Sequence, residues 1–332
     1  MTDTPIGVIL GQIGSPDAPT VPAVRRYLRE FLSDPRVVEA PRLLWWAVLR
    51  IAVLPRRPAR SAELYRRIWT ERGSPLVLTT LEQARLLEAA LGPGFRVEAG
   101  MRFGAPPLGE AIDRVLAAGA ERVLVVPMFP QYASATTGSL FDAVAMHLRG
   151  RRAVPALRFA APFYAHPAYV RALAAVAAED LARLPWKPEK IVLSFHGIPK
   201  AAVERGDPYP EHVEATSRLL ATALGLERGD YEVSYQSRFG RGAWLEPSSE
   251  ETLRRLGRSG IRRIAVLSPG FLADCLETID EIGREAANRF REAGGEDFHR
   301  VPCLGAHPAW ISAFAEIVRG ELSGWTKESE RP

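Results

Sequence analysis

The sequence predicts an α/β protein of two domains, each a parallel sheet flanked by helices. Short runs rich in Val, Ile and Leu alternate with helical patterns, as in βαβ units whose strands are buried on both faces. A length of 332 residues is about two domains' worth. Two strands also look like copies of two others. VILGQIGSP (Val8 to Pro16) lies on IVLSFHGIP (Ile191 to Pro199), and GAERVLVVPMF (Gly119 to Phe129) lies on GIRRIAVLSPG (Gly260 to Gly270), in the same order. Short apolar runs are poorly discriminating, so the repeat stands beside the reading that any two buried strands look alike.

Taken in order, the first strand runs from Val8 and opens at Gly14-Ser15-Pro16. Helical periodicity follows over Val21 to Leu32, Leu81 to Leu91 and Leu108 to Ala118, then over Pro167 to Leu184, Val213 to Leu224, Ser249 to Arg258 and Pro308 to Leu322. Right-handed crossovers between such units give Rossmann-like halves. The boundary is placed at GRRAVP (Gly150 to Pro155), giving domains 1–150 and 151–325, with the last helix a candidate to pack back on the first. The same Arg/Pro cluster also fits a surface loop. In the register of the repeat Ile13 falls on His196, so the two strand ends are expected to frame a cleft.

Composition excludes several classes. With 47% hydrophobic and 25% charged residues the chain is an ordinary globular protein. A net charge of +4 without a Lys/Arg block argues against nucleic acid. Cys275 and Cys303 are the only cysteines, too few for an iron–sulfur cluster, and fit a reducing cytoplasm. The N-terminus carries an acid and only a strand-length apolar run, unlike a secretory signal. LLWWAVLRIAVL (Leu43 to Leu54) is shorter than the ~20 residues a membrane span needs and contains Arg50. As a helix apolar on all sides it belongs either in the core or at an apolar interface.

The chemistry is placed in LSFHGIPKAAVERGDPY (Leu193 to Tyr209). His196 ends a buried strand, and Gly197 permits a sharp turn where open α/β sheets bind ligands. Asp274, Glu277, Glu281 and Glu285 are spaced to form one acidic stripe on a helix after the strand RIAVLS. Such a stripe is either a solvated face or, at the same sheet edge as His196, a row of hard oxygen ligands for a divalent metal in transit. Like charges at i,i+4 disfavour a helix by roughly 0.2 to 0.5 kcal/mol per pair, which favours a functional reading.

SFHGIP with GDPY, whose tyrosine lies thirteen residues after the histidine, resembles the signature of ferrochelatase, the enzyme that inserts ferrous iron into a porphyrin. GSPDAPTVPAVRRYLREFLSDPRVV (Gly14 to Val38), YRRIWTERGSPL (Tyr65 to Leu76), PQYASATTGS (Pro130 to Ser139), YQSRFG (Tyr235 to Gly240) and PGFLADCLETIDEI (Pro269 to Ile282) extend the resemblance. It implies a chelatase-like fold with the active site between the domains, His196 and Glu277 as the catalytic pair, and His196, Glu277, Glu281, Glu285 and Asp274 as metal contacts. Ile13, Tyr209 and Trp244 become pocket wall, and Arg57, Arg60 and Ser237 meet propionates. Arg102 and Tyr132 join the substrate-binding set. Iron and porphyrin are substrates, and no permanently bound cofactor is expected. An apolar residue at Ile13 resembles protoporphyrin enzymes, where coproporphyrin enzymes have tyrosine. The region of Leu43 to Leu54 is a lip in the family, which with Arg42, Arg50, Arg56 and Arg57 implies peripheral contact with an anionic membrane face.

Phe103 and Phe195 depart from the family's common residues, and Cys275 occupies a variable place; none removes a proposed catalytic group. Alternatives are a chelatase for coproporphyrin III, one for cobalt or another tetrapyrrole, and a haem carrier. Chelatases of the cobalt group often use two histidines where this chain offers one, and a carrier has no use for the acidic row.

Overall fold

The computed structural model describes residues 4–238 and 242–326, so Phe239 and Gly240 of the YQSRFG motif lie outside the described residues. The chain divides into two units. Described residues 4–129, 133–162 and 311–326 form the first, and 130–132, 163–238 and 242–310 the second.

The first unit begins with β1 (Ile6–Ser15), α1 (Val21–Ser33), α2 (Arg42–Val48), α3 (Leu54–Ile68) and α4 (Pro75–Leu91). It continues through β2 (Phe95–Gly104), α5 (Leu108–Ala117), β3 (Arg122–Pro127), α6 (Ser139–Leu148) and β4 (Ala156–Phe159). The four strands are parallel in the order β2-β1-β3-β4. On one face Ile9 and Val125 pack against Ile112, Leu140 and Val144 of α5 and α6. A second cluster joins Phe103 to Val24 and Leu28 of α1 and to Leu49 and Leu54. A sheet covered on both faces needs apolar residues at successive positions, which is why its strands read as unbroken runs. At the end of β1, Gly14 has φ +102°, and a Cβ there would stand 1.8 Å from the Phe103 carbonyl oxygen; the crossing requires glycine.

Two sequence expectations need adjustment here. Gly150 to Pro155 is the connection from α6 to the edge strand β4, and apart from Pro130–Tyr132 the chain passes into the second unit after Pro162. The apolar stretch Leu43 to Leu54 is neither wholly buried nor wholly exposed. It is α2, a π-helical turn (Leu49–Val53) and the start of α3. Trp45, Leu49, Val53 and Leu54 pack into the unit, with Trp45 Nε1 donating to the Leu32 carbonyl at 2.6 Å. Leu43, Leu44, Trp46 and Ile51 face outward, 88%, 62%, 55% and 73% exposed.

The second unit contains α7 (Pro167–Leu181), β5 (Lys190–His196), α8 (Lys200–Glu204), α9 (Tyr209–Ala223), β6 (Tyr231–Gln236) and α10 (Ser249–Arg258). Then come β7 (Arg263–Leu267), a π-helical segment (Glu277–Ala286), α11 (Ala287–Glu292) and β8 (Asp297–Arg300); the last helix, α12 (Pro308–Glu321), belongs to the first unit from Ile311 onward. The second unit's parallel order, β6-β5-β7-β8, repeats that of the first unit position for position. Val192, Ile264 and Val266 meet Leu253, Leu256 and Phe290 in its core. The matched strands of the sequence repeat, β1 with β5 and β3 with β7, hold equivalent places. The repeat extends further than the sequence reading took it. AHPAYV and AHPAWI follow the fourth strand of each sheet, and in both the histidine Nδ1 accepts from the alanine two residues on, His166 from Ala168 and His307 from Ala309, each at 3.2 Å.

Candidate functional site

The candidate site of the second unit is built at the carboxyl ends of β5 and β6 and on the π-helical segment after β7. β5 is buried from Ile191 to Phe195 and ends at His196, which is half-buried. Its neighbour in register is Gln236 at the end of β6. The Gly197 amide donates to the Gln236 carbonyl at 2.8 Å, and a Cβ on Gly197 would come within 3.0 Å of that oxygen and 3.3 Å of the Trp244 ring. Glycine therefore lets the chain turn tightly behind the histidine. His196 Nδ1 lies 2.7 Å from the Gly197 carbonyl oxygen. A carbonyl only accepts, so this contact assigns the proton to Nδ1 and leaves the Nε2 lone pair available as a base or ligand.

Beneath His196 runs a sealed polar chain. Ser194, Ser234, Gln236 and Ser249 are at most 3% exposed. Gln236 Nε2 reaches the Glu277 backbone carbonyl at 3.4 Å, so its Oε1 is the atom that accepts from Ser194 Oγ at 2.6 Å. Ser194 has one proton, so the Ser194–Ser249 contact of 2.9 Å has Ser249 as donor. By the same logic Ser234 donates to Ser249, also at 2.9 Å. The order Ser234 to Ser249 to Ser194 to Gln236 to Glu277 ties the strand of His196 to the helix of Glu277.

The acidic residues do not share one environment. Glu277, Glu281 and Glu285 are half-buried on the π-helical segment, where i→i+5 bonding replaces the α-helix expected from the spacing. Asp274 stands before it, and its Oδ1 accepts from Thr278 Oγ1 at 2.7 Å and from Arg300 at 2.6 Å. That carboxylate is thus committed to the start of the segment and to an ion pair. Glu281 accepts from the Ser237 amide at 2.6 Å and from Ser237 Oγ at 2.5 Å. Burial raises the Glu281 carboxyl above the ordinary carboxylate range; the Ser237 bonds and the charge of His196 act against this, and Glu277 adds to it. Among the described residues, no three His, Cys, Asp or Glu side chains converge closely enough to hold a metal ion, so the row is not a closed cage.

Other expected residues take separate places. Tyr209 is 6% exposed, and burial pushes its phenol far above the usual value, so it is a neutral wall. Trp244 covers Gly197 and lines a shallow groove of about 340 Å³ with Tyr235, Arg238 and Glu246. The Tyr132 amide donates to His212 Nδ1 at 3.1 Å, and that imidazole stacks on Tyr164. Ser237, expected to meet a propionate, has its hydroxyl on Glu281. In the first unit, Ile13 is partly buried against the α1–α3 cluster. Arg57 and Arg60 are exposed on α3, and Arg102 bonds Asp34 at 2.5 Å and Ser139 Oγ at 2.8 Å. The sequence reading passed over Ser194, Gln236 and the Ser237–Glu281 contact. Serines inside an otherwise apolar strand and a Gln-Ser pair at a strand end were the available signals.

The model of the family described as Ferrochelatase matches residues 5–322. The chain is 47% identical over 323 residues to the ferrochelatase of Herminiimonas arsenicoxydans, covering 96% of this chain and 87% of that one. It is also 47% identical over 321 residues to the ferrochelatase of Azoarcus sp. strain BH72, with 96% and 88% covered. Among solved structures, SirB from Bacillus subtilis with Fe3+ has a TM-score of 0.55 at 19% identity, covering 76% of this chain and 94% of SirB. CbiX, described as the terminal enzyme for biosynthesis of siroheme in denitrifying bacteria, has a TM-score of 0.51 at 15% identity, with 95% and 98% covered. At these identities the structural likeness concerns the fold alone.

Proposed function

Since the chain belongs to the ferrochelatase family and is an enzyme that inserts iron into a tetrapyrrole in haem biosynthesis, we propose that its porphyrin is protoporphyrin IX and that His196 and Glu277 carry the reaction. The observation that carries the assignment of His196 is its bare Nε2 at the end of β5, held by the Nδ1 contact to Gly197. Metal insertion exchanges two pyrrolic protons for one Fe2+. Nε2 is a suitable first acceptor because the proton held on Nδ1 by the Gly197 carbonyl leaves the Nε2 lone pair to accept. Glu277 stabilises the imidazolium that results, and Glu281 and Glu285 continue the hard-oxygen row by which Fe2+ arrives and protons leave.

Protoporphyrin is favoured over coproporphyrin by Ile13, which offers an apolar surface at the end of β1 and no hydroxyl. Iron enters as substrate, and no resident cofactor takes part. The test is an anaerobic absorbance assay with Fe2+ and each porphyrin separately, for the wild type and His196→Ala. Turnover of protoporphyrin that disappears in the variant supports the assignment; preference for coproporphyrin III refutes the substrate reading.

We place the enzyme in the cytoplasm, touching the inner membrane face through α2 and the π-helical turn after it. Among the described residues, no helix is long and apolar enough to cross a membrane. Leu43, Leu44, Trp46 and Ile51 are exposed together, with the Arg50 guanidinium 4.7 Å from the Trp46 ring centroid. An apolar face beside arginines suits the boundary between acyl chains and anionic headgroups, where a poorly soluble porphyrin would be collected.

A further inference from the structure

Ser237 is the only non-glycine residue with positive φ among the described residues, at +66°. A side chain in the left-handed region costs roughly 1–2 kcal/mol. Glycine would remove that cost, so a serine here calls for a use of its side chain. The geometry supplies one. In this conformation the Ser237 amide and hydroxyl point the same way and donate to different oxygens of one carboxylate, at 2.6 Å to Glu281 Oε1 and 2.5 Å to Oε2. A carboxylate gripped on both oxygens cannot rotate about its terminal bond, yet each oxygen keeps a lone pair for a further partner. Gln236, the preceding residue, bonds the Glu277 carbonyl, so β6 holds the π-helical segment at two successive positions. The groups whose charges act on Glu281 are Glu277 and His196, the proposed catalytic pair.

We propose that Ser237 is a positioning residue for metal delivery: its two donors fix the Glu281 carboxylate beside Glu277 and His196, presenting Fe2+ with oxygens whose orientation is set before the ion arrives. This rests on the reading of the acidic row given above. Ser237 then acts through Glu281 and not on the porphyrin. Partners that orient a metal-binding side chain typically contribute 10- to 100-fold to affinity or activity.

Ser237→Gly is the informative substitution, since it keeps the left-handed backbone and the amide donor while deleting only the hydroxyl. It is combined with Glu281→Gln in a double-mutant cycle, with Fe2+ and protoporphyrin varied separately in the anaerobic assay. The expected result is a fall of about tenfold or more in kcat/KM for Fe2+ in Ser237→Gly, with KM for porphyrin unchanged. The double variant should be no worse than Glu281→Gln alone, because the serine has nothing left to orient. Losses that multiply, a loss confined to porphyrin KM, or a Ser237→Gly enzyme equal to the wild type would overturn the proposal. So would a Glu281→Gln enzyme of wild-type kcat/KM for Fe2+ in an active protein, which strikes the role of Glu281. A wild type that metallates no porphyrin would instead strike the parent reading and the proposal with it.

Discussion

Ser194→Ala should be far more damaging than its single lost hydroxyl suggests, and more damaging than Ser234→Ala two links away. The reason is the direction of the buried chain. Ser194 stands in its middle, accepting from Ser249 and donating to Gln236 Oε1, with its side chain 0% exposed. Alanine there leaves the Ser249 proton without its acceptor and the Gln236 oxygen without its donor, both in a sealed region. An unsatisfied buried polar group costs about 1–3 kcal/mol, so two of them put the loss near 3 kcal/mol after partial relaxation. Ser234 is the donor at the chain's start. Removing it takes one bond from Ser249, which still has Ser194 to donate to, and the loss should be about 1 kcal/mol.

Urea denaturation of the wild type and both variants measures the two losses. Anaerobic turnover adds a second readout, because a Gln236 freed from Ser194 no longer holds the Glu277 carbonyl, and kcat should fall in Ser194→Ala more than in Ser234→Ala. Equal destabilisation by the two variants would refute the directed chain, leaving four independent hydroxyl and amide groups in its place.

Two further outcomes follow from other parts of the chain. Because burial raises the Glu281 carboxyl, the folded chain holds that proton more readily than the unfolded chain does. Its contribution to stability is complete below the ordinary value of 4.5 and is lost as pH rises through the folded value, so Glu281→Gln should gain stability relative to the wild type on going from pH 4 to about pH 7 in urea titrations, and parallel pH profiles would refute this. For the apolar face, full burial of a Leu or Ile side chain is worth about 1.5–3 kcal/mol, so Leu43 (88% exposed) and Ile51 (73% exposed) together represent about 3 kcal/mol of membrane affinity. Leu43→Ser/Ile51→Ser should therefore weaken co-sedimentation with anionic liposomes about 100-fold, and unchanged binding would remove the proposed membrane contact.

Strands buried on both faces announce themselves, because β1, β3, β5 and β7 have to be apolar at successive positions, and these were legible as runs. The outer strands were not. β4 and β8 are four residues each and carry polar or half-exposed side chains, so neither periodicity nor composition separates ALRF or DFHR from loop. β6 hid for a different reason: YEVSYQ buries Ser234 and Gln236, and burial of polar residues is readable only once their partners are known. The contacts of the acidic residues were not legible. Nothing in the spacing of Asp274, Glu277, Glu281 and Glu285 distinguishes an acid tied to Arg300 from one gripped by Ser237.

The acidic stripe is also where local and tertiary rules part. On an isolated helix, Glu277, Glu281 and Glu285 repel in pairs, and the sequence carries no compensating basic residue between the first two. The structure answers the repulsion from outside the helix. Ser237 donates twice to the middle acid, Gln236 bonds the carbonyl of the first, and the segment itself takes π winding, a form common at functional sites and unfavourable when left to itself. Ile282 and Ala286 anchor its opposite side in the core formed with Val266 and Phe290, so the segment stays attached whatever its charged face meets. Under the proposed metal-delivery role, a carboxylate row gains from being poorly neutralised before the cation arrives, and one that must not distort its own helix gains from external donors. Uncharged donors at the end of β6 meet both conditions, whereas an arginine in place of Ser237 would stabilise Glu281 more and compete with the incoming ion.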